Sequence, residues 1–313
     1  MTDAEREQPW PLTTGELPQV QLQDHGVRLR SGAIYAALTG YRPLRLDLYL
    51  PPVTRRPAPV VVWIHGGAFM HGDRTALPPL LAQERLFTRL PLAGFAVASV
   101  EYRLSSEACF PAQLEDIQAA IRWLRARHDE LGIDPARVAV WGESAGGHLA
   151  AFAGVAGETQ GRDQAVAFAG QPTDVMAVVD WYGPTDFAAM DRQAPADSMM
   201  CHDDPDSPES RLLGAPVQER PDLVARADPC RRATADAPPF LIMHGTLDRW
   251  VPFGQSELLA TRLRDVGVTV DFRPIADADH VFEGYVRGSE LVDEVVAFLE
   301  RVLRPGVGDL PNR

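Results

Sequence analysis

The stretch Val138-Ala139-Val140-Trp141-Gly142-Glu143-Ser144-Ala145-Gly146-Gly147 constrains this chain more than any other. Its first four apolar residues read as a buried strand, and beyond Gly147 the residues Leu149, Phe152, Ala153 and Ala156 fall at helical spacing. A strand that becomes a helix within five residues needs a tight bend, with Ser144 in strained backbone at its apex. A Cβ at Gly142 or Gly146 would collide with the neighbouring strand or helix, which accounts for both glycines. The bend lifts a hydroxyl clear of the sheet, next to a helix N-terminus whose free N–H groups favour developing negative charge. Gly-x-Ser-x-Gly by itself is a weak pattern that a Gly-rich helix start would also satisfy. With the strand before it and the helix after it, it marks Ser144 as a nucleophile.

The rest of the chain supplies a sheet for that bend. Val27 to Leu38 and Leu44 to Leu50 have strand composition, and the second alternates as a strand near a sheet edge does, ending at Pro51-Pro52. Val60 to Ile64 is a continuous apolar run of the kind covered on both faces. Strand and helix patterns then alternate. Ala96–Val100, Val175–Val179, Phe240–Met243 and Val268–Phe272 read as strands. Leu114, Ile117, Ile121 and Leu124 form one helix face, closed by Gly132 and Pro135. Leu259, Leu263 and Val266 form a second, and Leu291, Val295, Phe298 and Val302 a third. Alternating units of this length predict an α/β fold: a mostly parallel central sheet with helices on both faces. Residues 183–238, rich in Pro, Asp and Ala, interrupt the rhythm. They are expected to leave the carboxyl edge of the sheet as a cap over a pocket, where Met199, Met200 and Leu212-Leu213 either wall an acyl site or pack the cap to the body. The expected organisation is an N-terminal arm over 1–26, a core over 27–182 and 239–304, the cap insertion over 183–238 and a tail over 305–313.

A serine hydroxyl needs a base to take its proton, and the base needs a third group to orient it. Among eight histidines, His280 stands out in the loop after the last strand, Ala276-Asp277-Ala278-Asp279-His280. Asp248, in the loop after the preceding strand, is the matching acid, and the order Ser144, Asp248, His280 is that of α/β-hydrolases. Asp277 and Asp279 are rivals for the acid, but they lie too close to His280 in sequence to reach its Nδ1 easily. An oxyanion hole is expected from backbone N–H groups of Gly67 and Ala68, in His65-Gly66-Gly67-Ala68-Phe69 after a core strand, and of Ala145 in the bend. His65 and His148 read as structural histidines. His71, His128, His202 and His244 have no partner visible in sequence.

Several classes are excluded or disfavoured. All 30 basic residues are Arg, which removes Schiff-base chemistry, a P-loop lysine and a Ser–Lys dyad. A net charge of −13 gives no pull toward nucleic acid or anionic lipid. Three cysteines without CxxC spacing argue against a disulfide framework or a zinc site. Cys201 and Cys230 flank the irregular segment and either pair or remain ordinary thiols. Cys201-His202-Asp203-Asp204 lacks a second half with ligand spacing, so no metal is expected, and no Gly-x-Gly-x-x-Gly follows a strand, so no dinucleotide cofactor is expected either. The charged N-terminus and the lack of a long apolar run lead to the expectation of a cytoplasmic protein without membrane partners.

Taken together, His65-Gly66-Gly67-Ala68-Phe69, Glu101-Tyr102-Arg103-Leu104, Gly142-Glu143-Ser144-Ala145-Gly146-Gly147 and the Asp248 and His280 loops resemble the hormone-sensitive-lipase-like branch of α/β-hydrolase carboxylesterases. Trp181-Tyr182-Gly183-Pro184-Thr185-Asp186 and Ser207-Pro208-Glu209-Ser210 extend the likeness toward bacterial feruloyl and acetyl-xylan esterases. The resemblance covers about residues 27–304. It implies an α/β-hydrolase fold, an acyl-serine intermediate, no cofactor, small-molecule ester substrates and a preference for short acyl chains. An amide hydrolase of the acyl-aminoacyl peptidase or formamidase type is the alternative on the same triad, and a non-catalytic binding protein the more remote one. Three positions depart from the pattern: Ala68 where a third glycine is usual, Glu143 where Asp is more usual, and Val281 where Gly commonly follows the histidine.

Overall fold

A computed structural model describes residues 16–53, 56–157 and 168–304. Nine strands form one sheet in the order β1-β2-β3-β5-β4-β6-β7-β8-β9. They are β1 (Gln21–Leu22), β2 (Arg28–Ala36), β3 (Leu44–Leu50), β4 (Ala58–Ile64), β5 (Ala96–Val100), β6 (Ile133–Glu143), β7 (Ala177–Trp181), β8 (Phe240–Gly245) and β9 (Val270–Ile275). From β5 through β4, β6, β7 and β8 to β9 every pairing is parallel, and β1, β2 and β3 join antiparallel at one side. This is the α/β-hydrolase fold.

The apolar runs are buried on both faces because each face carries its own core. Val60, Val62 and Ile64 of β4 join the cluster that includes Leu114, Ile117, Leu149 and Leu259 of the helices Ala112–Ala126, Ala145–Val155 and Gly254–Asp265. Val61 and Trp63 point the other way, into the cluster of Leu86, Leu90, Leu291 and Val295 from Leu86–Leu92 and Gly288–Leu303. A period of two along one strand thus feeds two hydrophobic layers. On the second face Trp63, Trp141 and Trp181 meet edge to face, with centroids 5.5 and 5.0 Å apart. Such pairs contribute roughly 0.5–1.5 kcal/mol each beyond their burial.

The order of the strands positions the site. The chain leaves β4 toward β5 on one side, and later builds β6 on the other. The connections beyond the carboxyl ends of β4 and β6 therefore diverge and leave a crevice there. The loop after Ile64 and the residue after Glu143 both open into it.

Sequence and structure differ at several element ends. β6 begins at Ile133, before the expected Val138, because Ala58 pairs with Ile133 ahead of the main register, so Pro135 lies within a strand. The run expected at Val175–Val179 is in register as Ala177–Trp181, where Trp181 pairs with Met243. Val268 is not in β9: its N–H bonds Leu263 O and ends the preceding helix. The described part of the expected arm, 16–26, contains β1, while 1–15 and the expected tail over 305–313 lie outside the described residues.

Residues 183–238 contain the short helices Met190–Gln193, Pro208–Leu213, Pro221–Arg226 and Pro229–Arg232. The prolines that make the segment look irregular in sequence stand at the first position of three of these helices, where a missing N–H costs nothing. Ser207 and Asp228 cap two of them by accepting from the N–H of Ser210 and Cys230. No helix among the described residues is long and apolar enough to cross a membrane.

Candidate active site

Ser144 is the single residue between β6 and the helix Ala145–Val155, and it holds φ 52°, ψ −121°. The flanking glycines are dictated by contact: a Cβ on Gly142 would lie 2.0 Å from Gly146 O, and one on Gly146 2.1 Å from Ile64 O. Ser144 N donates to Trp181 O at 2.8 Å, which ties the bend to β7. The strained serine is thus over-determined by its surroundings, as a conformation of this kind must be to persist.

His280 and Asp248 come to it from the ends of β9 and β8. His280 Nε2 is 3.1 Å from Ser144 Oγ, and His280 Nδ1 is 2.7 Å from Asp248 Oδ2. The other carboxylate oxygen, Oδ1, accepts from the N–H groups of Trp250 and Val251 at 2.8 Å each. An ionised carboxylate only accepts, so Nδ1 carries the proton and Nε2 is left to accept from the serine hydroxyl. Burial would raise the Asp248 pKa, but bonds from His244 and His280 hold it well below the usual carboxylate range. Burial lowers the His280 pKa, and the Asp248 bond and charge together with Glu143 and Asp279 outweigh it, so its pKa stands above the ordinary value. Tyr182 packs edge-on to the imidazole, centroids 4.9 Å apart, and fixes the ring.

Neither rival carboxylate is the one bonded to His280 Nδ1. Asp279 accepts from Arg249 N at 2.9 Å and Nε at 2.6 Å, and from its neighbour His280 N. Asp277 is exposed, and His280 Nδ1 is taken by Asp248 instead.

Beyond β4, Gly67 (φ 107°), Ala68 (φ 56°) and Phe69 (φ 59°) all adopt left-handed backbone. Ala68 therefore occupies a conformation that glycine would hold without strain, which explains why glycine is usual there. Val281 at φ 55° is the same case, less comfortable for a β-branched side chain. Gly67, Ala68 and Ala145 line one cavity with Ser144, and no acceptor among the described residues takes the N–H of Gly67 or Ala68. His65 supports this loop from below. It stacks on Tyr102 with centroids 4.4 Å apart, and Tyr102 Oη donates to His65 O at 3.0 Å. Burial takes the His65 pKa down to about 4, so it is neutral, as is His148, whose Nδ1 is 2.9 Å from Pro184 O.

Three features had no signal in the sequence. Glu143, buried beside the serine, accepts from Gly66 N at 2.8 Å and so bolts the loop after β4 to the bend after β6. His244 bonds Ser256 Oγ at 2.7 Å and lies 3.2 Å from Asp248 Oδ2, giving the acid a second imidazole. His202, in a polar run, is buried against Glu209. The Glu143–Gly66 bond joins residues 77 apart and leaves no periodicity to find, and the partners of His202 and His244, though nearer in sequence, are set by how loops fold rather than by spacing.

The cavity is about 440 Å³ and is lined largely by apolar groups, among them Phe69, Leu77, Met200, Pro208 and Val251. Of the apolar residues expected to wall it, Met200 does so, Met199 is exposed, and Leu212 and Leu213 are buried in the core instead. Cys201, His202, Asp203 and Asp204 do not converge on one point. Cys201 Sγ and the N–H groups of His202 and Asp203 all turn to Asp191, while the imidazole turns to Glu209. Cys109, Cys201 and Cys230 are free thiols.

This arrangement can generate an alkoxide-like nucleophile beside a small apolar cavity and hold a developing oxyanion. The chain is similar to known proteins in sequence and in fold. The BD-FAE family model matches residues 46–263. The esterase LipC of Mycobacterium tuberculosis is 32% identical over 252 residues, which is 80% of this chain and 60% of LipC. The esterase LipQ of the same organism is 30% identical over 266 residues, 83% of this chain and 60% of LipQ. The chain thus spans about 60% of the length of these curated relatives. Among solved structures, a truncated carbohydrate esterase from gut microbiota superposes with a TM-score of 0.75 at 29% identity, covering 91% of this chain and 99% of that one. An esterase of Thermogutta terrifontis, at a TM-score of 0.64 and 23% identity over 90% of this chain and 95% of its own, shares the fold.

Proposed function

The chain belongs to the BD-FAE family of α/β-hydrolase esterases, and from that footing we propose that it is a serine carboxylesterase acting on short-chain acyl esters. The observation that carries the reading is the unbroken chain of hydrogen bonds from Asp248 through His280 to Ser144, opening onto an apolar cavity. In this reading Ser144 Oγ attacks the ester carbonyl as His280 Nε2 takes its proton. The carbonyl oxygen, now negative, is held by the N–H groups of Gly67, Ala68 and Ala145, donors of a kind worth roughly 10²–10³ in rate apiece. His280 then returns the proton to the leaving alkoxide. Water, activated by the same imidazole, releases the acid from the acyl-serine. Asp248 keeps the productive tautomer and stabilises the imidazolium throughout. Segment 183–238 acts as the cap, since Met200, His202, Pro208 and Glu209 close one wall of the cavity. A volume of about 440 Å³ shared between acyl and alcohol parts favours short chains, being near the small end of ligand sites.

Reaction with a fluorophosphonate tests the assignment of the nucleophile. One adduct per chain on the peptide bearing Ser144, lost in Ser144→Ala, is expected. Unmodified protein, or an adduct elsewhere, contradicts it.

A further inference from the structure

The cavity wall contributed by residues 183–238 holds an ion pair that the proposed chemistry does not use. His202 and Glu209 are 2% and 3% exposed, and His202 Nδ1 lies 3.1 Å from Glu209 Oε2. The other ring nitrogen, Nε2, faces Trp250 O at 2.9 Å. Both ring nitrogens thus face acceptors, and only the imidazolium donates from both. Burial lowers the His202 pKa, but the Glu209 bond and charge and the Asp191 charge outweigh it and raise it above the ordinary value, in agreement with that state. Glu209 Oε2 is spent on His202. Oε1 takes no bond among the described residues, and Glu209 lines the same cavity as Ser144.

A buried ion pair is poor value as a core filler, because apolar residues of similar volume serve as well or better. Here it leaves a charged acceptor open toward a cavity whose other walls are mainly apolar. We propose that Glu209 is a specificity-determining residue, accepting a hydrogen bond from a neutral hydroxyl on the alcohol part of the ester. This rests on the esterase reading above. A short acyl chain carries no donor, which leaves the alcohol to supply one. The pair has no net charge, and a cationic alcohol would meet the His202 imidazolium beside the carboxylate, so the neutral hydroxyl fits better. His202 acts as a positioning residue: it holds Glu209 and ties the cap to the loop of Asp248 through Trp250.

Two butyrate esters test this, glyceryl 1-monobutyrate and propyl butyrate, which share the acyl group and a three-carbon alcohol and differ in two hydroxyls. With each kcat/KM divided by the rate constant of alkaline hydrolysis, the wild-type protein is expected to favour the glyceryl ester by about 10–100-fold, the range of one charge-assisted hydrogen bond. Glu209→Met should bring the ratio close to one, mainly through KM. A wild-type ratio near one overturns the proposal. So does a ratio that survives Glu209→Met, because a merely structural role lowers both esters in proportion. If that variant does not fold, inhibition of p-nitrophenyl butyrate hydrolysis decides with the wild type alone: glycerol should inhibit at about tenfold lower concentration than propan-1-ol, and equal or reversed potency refutes the idea. A butyrylcholine preference over both esters would assign the carboxylate to a cation and also refute it. Failure of the esterase reading is separate, since wild-type protein would then leave p-nitrophenyl butyrate intact.

Discussion

Replacing Asp248 by Asn changes one atom in a buried, fully bonded position, which makes it a sharp probe of the proposed relay. The carboxamide oxygen can keep the two N–H bonds from Trp250 and Val251 that Oδ1 now accepts. Its NH₂ then faces His280 Nδ1, where the carboxylate accepts at 2.7 Å. Nδ1 must become the acceptor, so the ring proton moves to Nε2, the atom that is to take the proton of Ser144. The charge is lost as well. An imidazolium about 4 Å from a carboxylate charge at an effective dielectric of about 20 is stabilised by roughly 4 kcal/mol, or about 10³ in rate. With the tautomer penalty added, kcat should fall by about 10³–10⁴ while the far-ultraviolet spectrum stays the same. The pH profile gives a second reading. Asp248 helps raise the His280 pKa, and the proposed mechanism needs neutral His280, so the acid limb of kcat/KM in the wild type is expected above the ordinary histidine value. It should move to lower pH in Asp248→Asn. A folded variant with wild-type kcat, or the same loss from Asp279→Asn, would refute the reasoning.

Other perturbations follow from the same contacts. Glu143→Ala removes the acceptor of Gly66 N–H and should lower kcat by about 10²-fold with little change in KM, measured on a p-nitrophenyl ester; an unchanged kcat would free the oxyanion loop from Glu143. Gly66→Ala attacks the same joint from the other side, since its Cβ would lie 2.2 Å from Glu143 Oε1, and should cost at least as much. His148 has a pKa of about 4 in the fold against 6.5 ordinarily, so the unfolded chain takes up a proton that the folded chain refuses. Stability is then fully present above about pH 6.5 and falls as pH drops toward 4, by about 3 kcal/mol from this residue. In urea titrations His148→Phe should lose that part of the pH dependence, and parallel wild-type and variant curves would contradict it.

Most of the frame was legible because it is written locally. A strand covered on both faces announces itself as an apolar run, and Ser144 and Asp248 each follow such a run by a few residues, while His280 follows the half-exposed edge strand β9. Gly142 and Gly146 are readable for the same reason, their partners being the bend itself and the adjacent strand. What was not legible depends on pairs remote in sequence. Glu143 and Gly66 are 77 residues apart, and the His202–Trp250 bond spans 48. Glu143 and His202 alone look like solvated polar groups, and their partners are backbone atoms of Gly66 and Trp250. The helices in 183–238 were hidden by prolines whose effect depends on position: breaking inside a helix, harmless at its first residue. Strand ends depart from the composition where pairing decides them, as at Ile133 and Val268.

The most direct test of the central claim is hydrolysis of p-nitrophenyl esters from acetate to palmitate by the wild-type protein and by Ser144→Ala. The account predicts turnover that peaks at short acyl chains, declines with length and vanishes in the variant. Folded wild-type protein that releases no p-nitrophenol from any ester, or equal turnover by Ser144→Ala, would contradict it.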